Sequence, residues 1–351
     1  MDYSRNSHAN MLAMIKGLFD FSHGVAFDVF ACNSRVAYTV SYGSVRRCLE
    51  ELSAQEAKLI VERARDLQRG GVLVMDNVQN YLIQRDMRVG RTHTMNIGLA
   101  ATYIEIEGIH PNALDFTDKM ARLATSDRAN LTVTQLLGYL DQEHVDTVIT
   151  LHWLLTLVNY IPSLSYLRKD VLNAFRTRAA KLQLPVQPSS IHPLATNGKN
   201  EAVTKDLRDA LFDFMEQIGQ TPEDYQRRLI LGSGDGMTFE KIHQVKKYLQ
   251  FDNDDLRSLR LLEPVLAIWH TLWTDISRIF ESHWGKANLS SDPSTLAHNA
   301  AKIGRVAPPN LKKVDYYPYL ELAYLVLDIR SYNQPQLCSR RPFTVDLRPP
   351  S

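Results

Sequence analysis

Cysteine, charge of one sign and long apolar runs are what this sequence has least of. Its three cysteines, Cys32, Cys48 and Cys338, are widely spaced and match no CxxC or zinc-ribbon pattern. So odd and sparse a set argues against a disulfide framework and for a reducing, intracellular compartment. Lys and Arg number 40 against 39 Asp and Glu, a formal net charge of +1. That balance excludes a polybasic arm or an acidic tail, although a neutral chain can still carry a local basic face. No window approaches the roughly 18 to 20 uncharged apolar residues that span a bilayer. The richest stretch, Val148 to Ile161, contains His152 and Asn159 and reads as a buried helix. The apolar N-terminal segment is interrupted by Lys16 and Asp20 and fails as a secretory signal. Neither repeats nor low-complexity blocks occur. What remains is an ordinary soluble globular composition, 44% hydrophobic and 23% charged over 351 residues. That length suits two domains or one with large insertions.

Residues 1–68 read as a helical segment. Within it, residues 35–68 suggest two helices around a short turn, with Ser44 as a cap and Val45, Cys48, Leu49 and Leu52 on one face. Arg46 and Arg47 then lie outside, where they could serve a helix-turn-helix, although a satellite hairpin is the favoured reading. At Gly70 the pattern changes. Gly71 to Asp76 (GVLVMD) is a continuous apolar run of the kind found in buried strands. Residues 92–107 alternate as a second strand, and residues 228–235 (RLILGSGD) form another apolar run ending in aspartate. Helical patterns fill residues 111–185 and 255–314, the latter including a helix from Leu259 to Trp284, and further helices fall at 202–218 and 316–330. The expected fold is α/β: a mixed-sheet core over residues 69–330 carrying two large helical insertions. Residues 331–351 lose periodicity and read as an unstructured tail, a truncated or mis-spliced end.

Open α/β sheets bind ligands at the carboxyl ends of their strands, and two of the expected strands end in Asp76 and Asp235. Facing carboxylates repel unless a proton or a metal ion intervenes, and hard oxygen ligands suit Mg²⁺ or Mn²⁺. Such ions could orient both oxygens of an in-line phosphoryl transfer. Asp315, Glu321 and Asp328 stand in a late helix, and the seven-residue spacing of Glu321 and Asp328 puts both on one face. The plainer alternative is that Asp76 caps a turn and that Asp235 belongs to a Gly-Asp-Gly turn. Arg85, Arg88 and Arg91 recur every third residue after the first aspartate, as phosphate contacts or as a solvated face. Lys312 and Lys313 form another basic pair. The Gly198-Lys199-Asn200 sequence fails as a phosphate loop, because Pro193 replaces its first glycine and Asn200 its Ser/Thr. His270 and His283, among tryptophans, lack the further ligands that zinc needs and read as partly buried helix residues.

Several strings in order, VMDNVQNYLIQRDMRVGR, IHPLATNGKNE, GSGDGMTFEKI, EPVLAIWHTLWTDISRI, HWG, DPSTLAHNAAKI and NLKKVDYYPYLELAYLVLD, resemble an uncharacterised domain-of-unknown-function family abundant in mushroom-forming fungi. The resemblance runs over about residues 10–330 and implies descent from cut-and-paste DNA transposases with a ribonuclease H-like fold. Such a fold would carry one Asp on the first strand, one after the fourth, and an Asp or Glu on a late helix. Asp76, Asp235, and Asp328 or Glu321 match those places, with Asp76, Asp235 and Asp328 as metal ligands. The function this implies is Mg- or Mn-dependent phosphodiester cleavage or strand transfer on DNA, in the nucleus. The alternative is a non-catalytic nucleic-acid- or protein-binding remnant. A phosphohydrolase ranks last, because Asn77-Val78 follows Asp76 where that chemistry wants a second Asp two residues on.

Overall fold

The computed structural model describes residues 10–83, 90, 92–106, 108–181, 186–285 and 292–333. Arg85, Arg88, Arg91, Cys338 and nearly all of the expected tail lie outside the described residues. The chain divides into two units: Met1–Phe116 with Ser189–Val265, and Thr117–Pro188 with Leu266–Ser351.

The first unit opens with α1 (Met11–Ser22), α2 (Phe27–Arg35) and α3 (Tyr42–Arg65), which share a small core of Ala13, Phe30, Val40 and Val45. Helix α3 is continuous over 24 residues, where the sequence suggested two helices and a turn. No Gly or Pro interrupts residues 44–68, and so nothing breaks the backbone ladder. The cap is Ser41 rather than Ser44; its side chain accepts the Ser44 N–H. The turn expected within residues 44–68 is thereby absent. Arg46 and Arg47 are exposed, and Arg46 pairs with Glu50 at 3.4 Å across one turn.

A five-stranded mixed sheet follows, with strand order β3-β2-β1-β4-β5. Strands β1 (Gly70–Leu82) and β2 (Thr94–Ile106) pair antiparallel along their full length, from Gly70↔Ile106 to Leu82↔Thr94. Strand β3 (Ile191–Pro193) pairs antiparallel with β2, and β4 (Ile230–Gly234) runs parallel to β1. Asp76 therefore lies within β1 and not at its end. Only Val72, Leu73 and Val74 pair with β4, after which β1 and β2 continue as a two-stranded ribbon. Strand β5 (Leu262–Leu266) falls where a helix was expected. Pro264 explains the difference, because it cannot continue a helix and is tolerated on an edge strand. Helices α8 (Thr204–Gln217) and α9 (Gly236–Tyr248) supply much of the buried apolar surface, with Leu207, Leu211, Phe214, Met215, Ile242 and Val245, while Leu73, Met75, Leu99 and Tyr103 bury from the sheet.

A buried polar cluster ties α3, β2 and β3 together. His192 Nδ1 lies 2.6 Å from Glu56 Oε1, and its Nε2 lies 3.0 Å from Glu105 Oε1. Glu105 also accepts from Ser190 Oγ at 2.7 Å and from Arg69 at 2.6 Å. Burial alone would raise the Glu105 pKa, but the hydrogen bonds from Ser190, His192 and Arg69, with the Arg69 charge, hold it down at about 2.

The second unit is helical: α4 (Phe116–Ala124), which starts at the boundary, then α5 (Val133–Gly138), α6 (Gln142–Tyr160), α7 (Arg168–Thr177), α10 (Ile268–His283), α11 (Leu296–Lys302) and α12 (Tyr316–Asn333). One core gathers Ile276, Phe280, Leu296, Ala300, Val314, Tyr319, Leu322 and Val326. Helix α6 holds the apolar run at 148–161, yet only Leu151, Thr156 and Val158 in it are buried, and Ile149 is half-exposed. Among the described residues no helix is long and apolar enough to cross a membrane.

The Glu105 cluster predicts an acid-sensitive contribution to stability. A carboxyl whose pKa falls from 4.5 to about 2 on folding stabilises the native state above pH 4.5 and loses that contribution as the pH falls through 2. The term is on the order of 3 kcal/mol. Urea unfolding of wild type and Glu105→Gln should therefore show a gap at pH 7 that closes toward pH 2. A gap independent of pH would refute the assignment.

Candidate functional site

The three paired residues of β1 and β4 share one offset: Val72↔Leu231, Leu73↔Gly232 and Val74↔Ser233. Asp76 and Asp235 stand two residues beyond the last of these pairs, Asp76 within β1 and Asp235 directly after β4, and the charges of both act on Glu201. Asp235 follows β4 directly, with the extended backbone (φ −68°, ψ −179°) of a helix N-cap. Alternation along β1 sends Asp76 to the face opposite Met75, whose Cε methyl would lie 3.3 Å from a Cβ at Gly232.

Asp235 is also the N-cap of α9, and its Oδ1 accepts the Thr238 N–H at 2.8 Å and lies 3.0 Å from Thr238 Oγ1. The plainer reading of Gly-Asp-Gly is thus part of the answer, since the aspartate caps a helix. Gly234 makes the approach possible: a Cβ there would lie 2.5 Å from Thr238 Cγ2. Asp76 uses Oδ1 to accept the N–H of Asn77 at 2.8 Å. Both aspartates leave Oδ2 without a hydrogen-bond partner among the described residues, and no ion pair joins either to a cation there.

A third carboxylate, Glu201, is drawn to this pair from the turn before α8. It is 1% exposed, and its Oε1 contacts Thr238 Oγ1 closely. Burial raises the Glu201 pKa first, and the charges of Asp235 and Asp76 raise it further, against hydrogen bonds from Thr238 and Asn77. The Thr238 hydroxyl has one proton and two carboxylate neighbours, Glu201 and Asp235. That one proton cannot be donated to both carboxylates at once.

The loop that delivers Glu201 is pinned at several points. Asn197 exchanges two backbone hydrogen bonds with Leu99 on β2, at 3.0 and 3.1 Å. Gly98 leaves room for this bridge, since a Cβ there would meet the Asn197 carbonyl at 2.6 Å. Gln217 brackets Ala195, donating to its carbonyl at 3.1 Å and accepting from its N–H at 2.7 Å. Asn200 accepts from the N–H of Ala202 at 3.0 Å, folding the chain at Glu201. Sequence reasoning missed Glu201, and its only trace was the Asn-rich turn chemistry of ATNGKNE.

Asp328 and Glu321, the expected late-helix acids, belong to the helical unit. Asp328 accepts from Thr156 Oγ1 at 2.8 Å, and exposed Glu321 pairs with Arg305 at 2.9 Å. His270 lies beside Trp269 and is half-buried, whereas His283 is exposed. Among the described residues no group of three His, Cys, Asp or Glu side chains is gathered closely enough to hold a metal ion. Asp76 and Asp235 nevertheless fit a site of the kind in which Mg²⁺ uses two carboxylates and takes its other ligands from water and substrate phosphate.

Because the Glu201 pKa is raised above its ordinary 4.5, the folded chain holds a proton that the unfolded chain releases. Its contribution is present in full below pH 4.5 and is lost as the pH rises through the folded value, at no more than about 1.4 kcal/mol per pH unit. Glu201→Gln keeps a donor and removes the titration. The melting temperature of this variant should therefore gain on wild type between pH 5 and pH 8. A difference that is flat across that range would show that Glu201 holds no such proton.

No curated protein and no solved structure matches the chain. The profile of a family of unknown function, DUF6589, matches residues 126–341. That span takes in Glu201, Asp235, Glu321 and Asp328 and begins beyond Asp76. It covers well over half of the 351 residues, and the chain accordingly belongs to the DUF6589 family.

Proposed function

We propose that this chain is a transposase-derived, nuclease-like protein with a ribonuclease H-like core, acting on phosphodiester bonds of DNA. The observation that carries this reading is that Asp76 and Asp235 lie two residues beyond the pairing of the parallel strands β1 and β4, near enough for both charges to act on Glu201, each with a carboxylate oxygen free of any cation or donor among the described residues. The positions correspond to those the resemblance implies, one Asp on the first strand and one directly after the fourth. In this reading Asp76 and Asp235 hold Mg²⁺ or Mn²⁺. A bound ion of this kind polarises the phosphate and lowers the pKa of an attacking water or 3′-hydroxyl.

The side chains divide the remaining work. Asp235, fixed by the first turn of α9, supplies a rigid oxygen, while exposed Asp76 faces the side from which substrate arrives. Glu201 lies behind them and buffers the charge of the pair through Thr238. Its raised pKa suits a neutral hydrogen-bonding role better than that of a third anionic ligand. Asp328 and Glu321, the acids that the resemblance would assign to the late helix, are not needed for this two-carboxylate site.

A second reading, a binding protein that retains the fold without catalysis, is favoured by one observation. No three potential ligands are gathered for a metal ion among the described residues. Mn²⁺-dependent cleavage of DNA separates the two. Asp76→Asn and Asp235→Asn should each abolish cleavage with melting nearly unchanged, since Asn caps a helix about as well as Asp and Asp76 is exposed. Glu201→Gln should cleave, with an altered pH profile. Variants of both aspartates that cleave like wild type would overturn the acidic-site reading, and a wild type that binds DNA without cleaving it would establish the second.

A further inference from the structure

The helical unit carries a second assembly of chemistry. A groove of about 230 Å³ runs along α10 and is lined by Trp273, Thr274, Arg278 and Glu281 from that helix and by Lys312 and Lys313 from the segment before α12. Three cations face one acid there. None of Arg278, Lys312 and Lys313 forms an ion pair among the described residues. Their position is set by the fold: Trp273 Nε1 donates to the Val314 carbonyl at 2.5 Å, and Val314 is fully buried. Asn310 shapes the turn before it, accepting from Lys312 N at 3.0 Å. The Lys313 ammonium stands 5.7 Å from the centre of the Trp273 ring.

Beside the cations runs a ladder of rings. Trp269 is 5.2 Å from Trp273, Tyr316 is 5.6 Å from Trp269, and Tyr317 is 5.2 Å from Tyr316. Tyr317 is 73% exposed and Trp269 42% exposed, far more than aromatic rings that serve only a core. Cations in a groove with exposed rings alongside are the two parts of a single-strand binding surface: the cations take phosphates, and the rings take unstacked bases. A phosphate-only site would leave the rings unexplained, and a site for an apolar partner would leave the three cations unexplained.

We infer that this face of the helical unit binds single-stranded DNA, with Arg278, Lys312 and Lys313 on the phosphates and Trp269 and Tyr317 stacking bases. The choice of DNA as the strand rests on the proposed function above, whereas the surface itself needs none of the metal chemistry. The test is titration of the full chain with a fluorescent oligo(dT) in EDTA, read by anisotropy and by quenching of tryptophan emission.

Wild type should bind with a strong salt dependence. R278A/K312A/K313A should lower the slope of log K against log salt by about 2, since each phosphate contact on a single strand contributes roughly 0.7. Trp269→Ala should weaken binding about tenfold with the slope unchanged. If that variant melts early, Tyr317→Ala makes the same test at a more exposed ring. D76N/D235N should bind like wild type, so failure of the metal site and failure of this surface are read separately. No binding by wild type, an unaltered slope in the triple variant, tighter binding of duplex than of oligo(dT), or ring variants that bind as wild type would each overturn the inference.

Discussion

Three residues of parallel pairing between β1 and β4 set the geometry of the candidate site. A parallel pair allows no tight turn between its strands, so the chain travels through more than a hundred residues between Val74 and Leu231 before closing it. That excursion carries β2, β3, α8 and the first part of the helical unit. The pairing brings Asp76 and Asp235 to the same end of the two strands. Asp235 takes the N-terminus of α9, and the charges of Asp235 and Asp76 add to burial in making Glu201 harder to ionise.

The two buried acids of the sheet unit show opposite solutions to one problem. Glu105 is ringed by donors, Ser190, His192 and Arg69, and keeps its charge to a low pH. Glu201 has Thr238 and Asn77 as donors, two further carboxylates nearby and no ion-paired cation among the described residues, and its pKa rises. The first arrangement cross-links α3, β2 and β3. The second leaves Glu201 buried beside Thr238 with the charges of Asp235 and Asp76 acting on it.

Much of the architecture was legible because hydrophobic period is a local signal. The runs GVLVMD and RLILGSGD announced strands, residues 92–107 announced β2 within two residues of its bounds, and the amphipathic pattern at 202–218 announced α8. Local signals also misled. Residues 35–68 suggested two helices around a short turn where α3 runs uninterrupted, and the helical pattern from Leu259 to Trp284 hid β5. The exposure of α6 departed from its hydropathy for the same reason, since a local average does not record what packs against a helix.

Residue chemistry along the chain by itself marked out Asp76 and Asp235, the basic pair at Lys312 and Lys313, and membership of a family without assigned function. Tertiary structure alone decided that Asp76 and Asp235 come to the same end of β1 and β4, that Glu201 joins them, and that Lys312 and Lys313 meet Arg278 beside exposed rings. The physical reason is the range of the forces involved. Helix and strand patterns arise from neighbours within a few residues, whereas desolvation, carboxylate repulsion and register arise from residues brought together by the fold. A glutamate in a polar loop looks solvated in sequence, and only the closing of β4 against β1 and of α9 over the Glu201 turn takes it out of water.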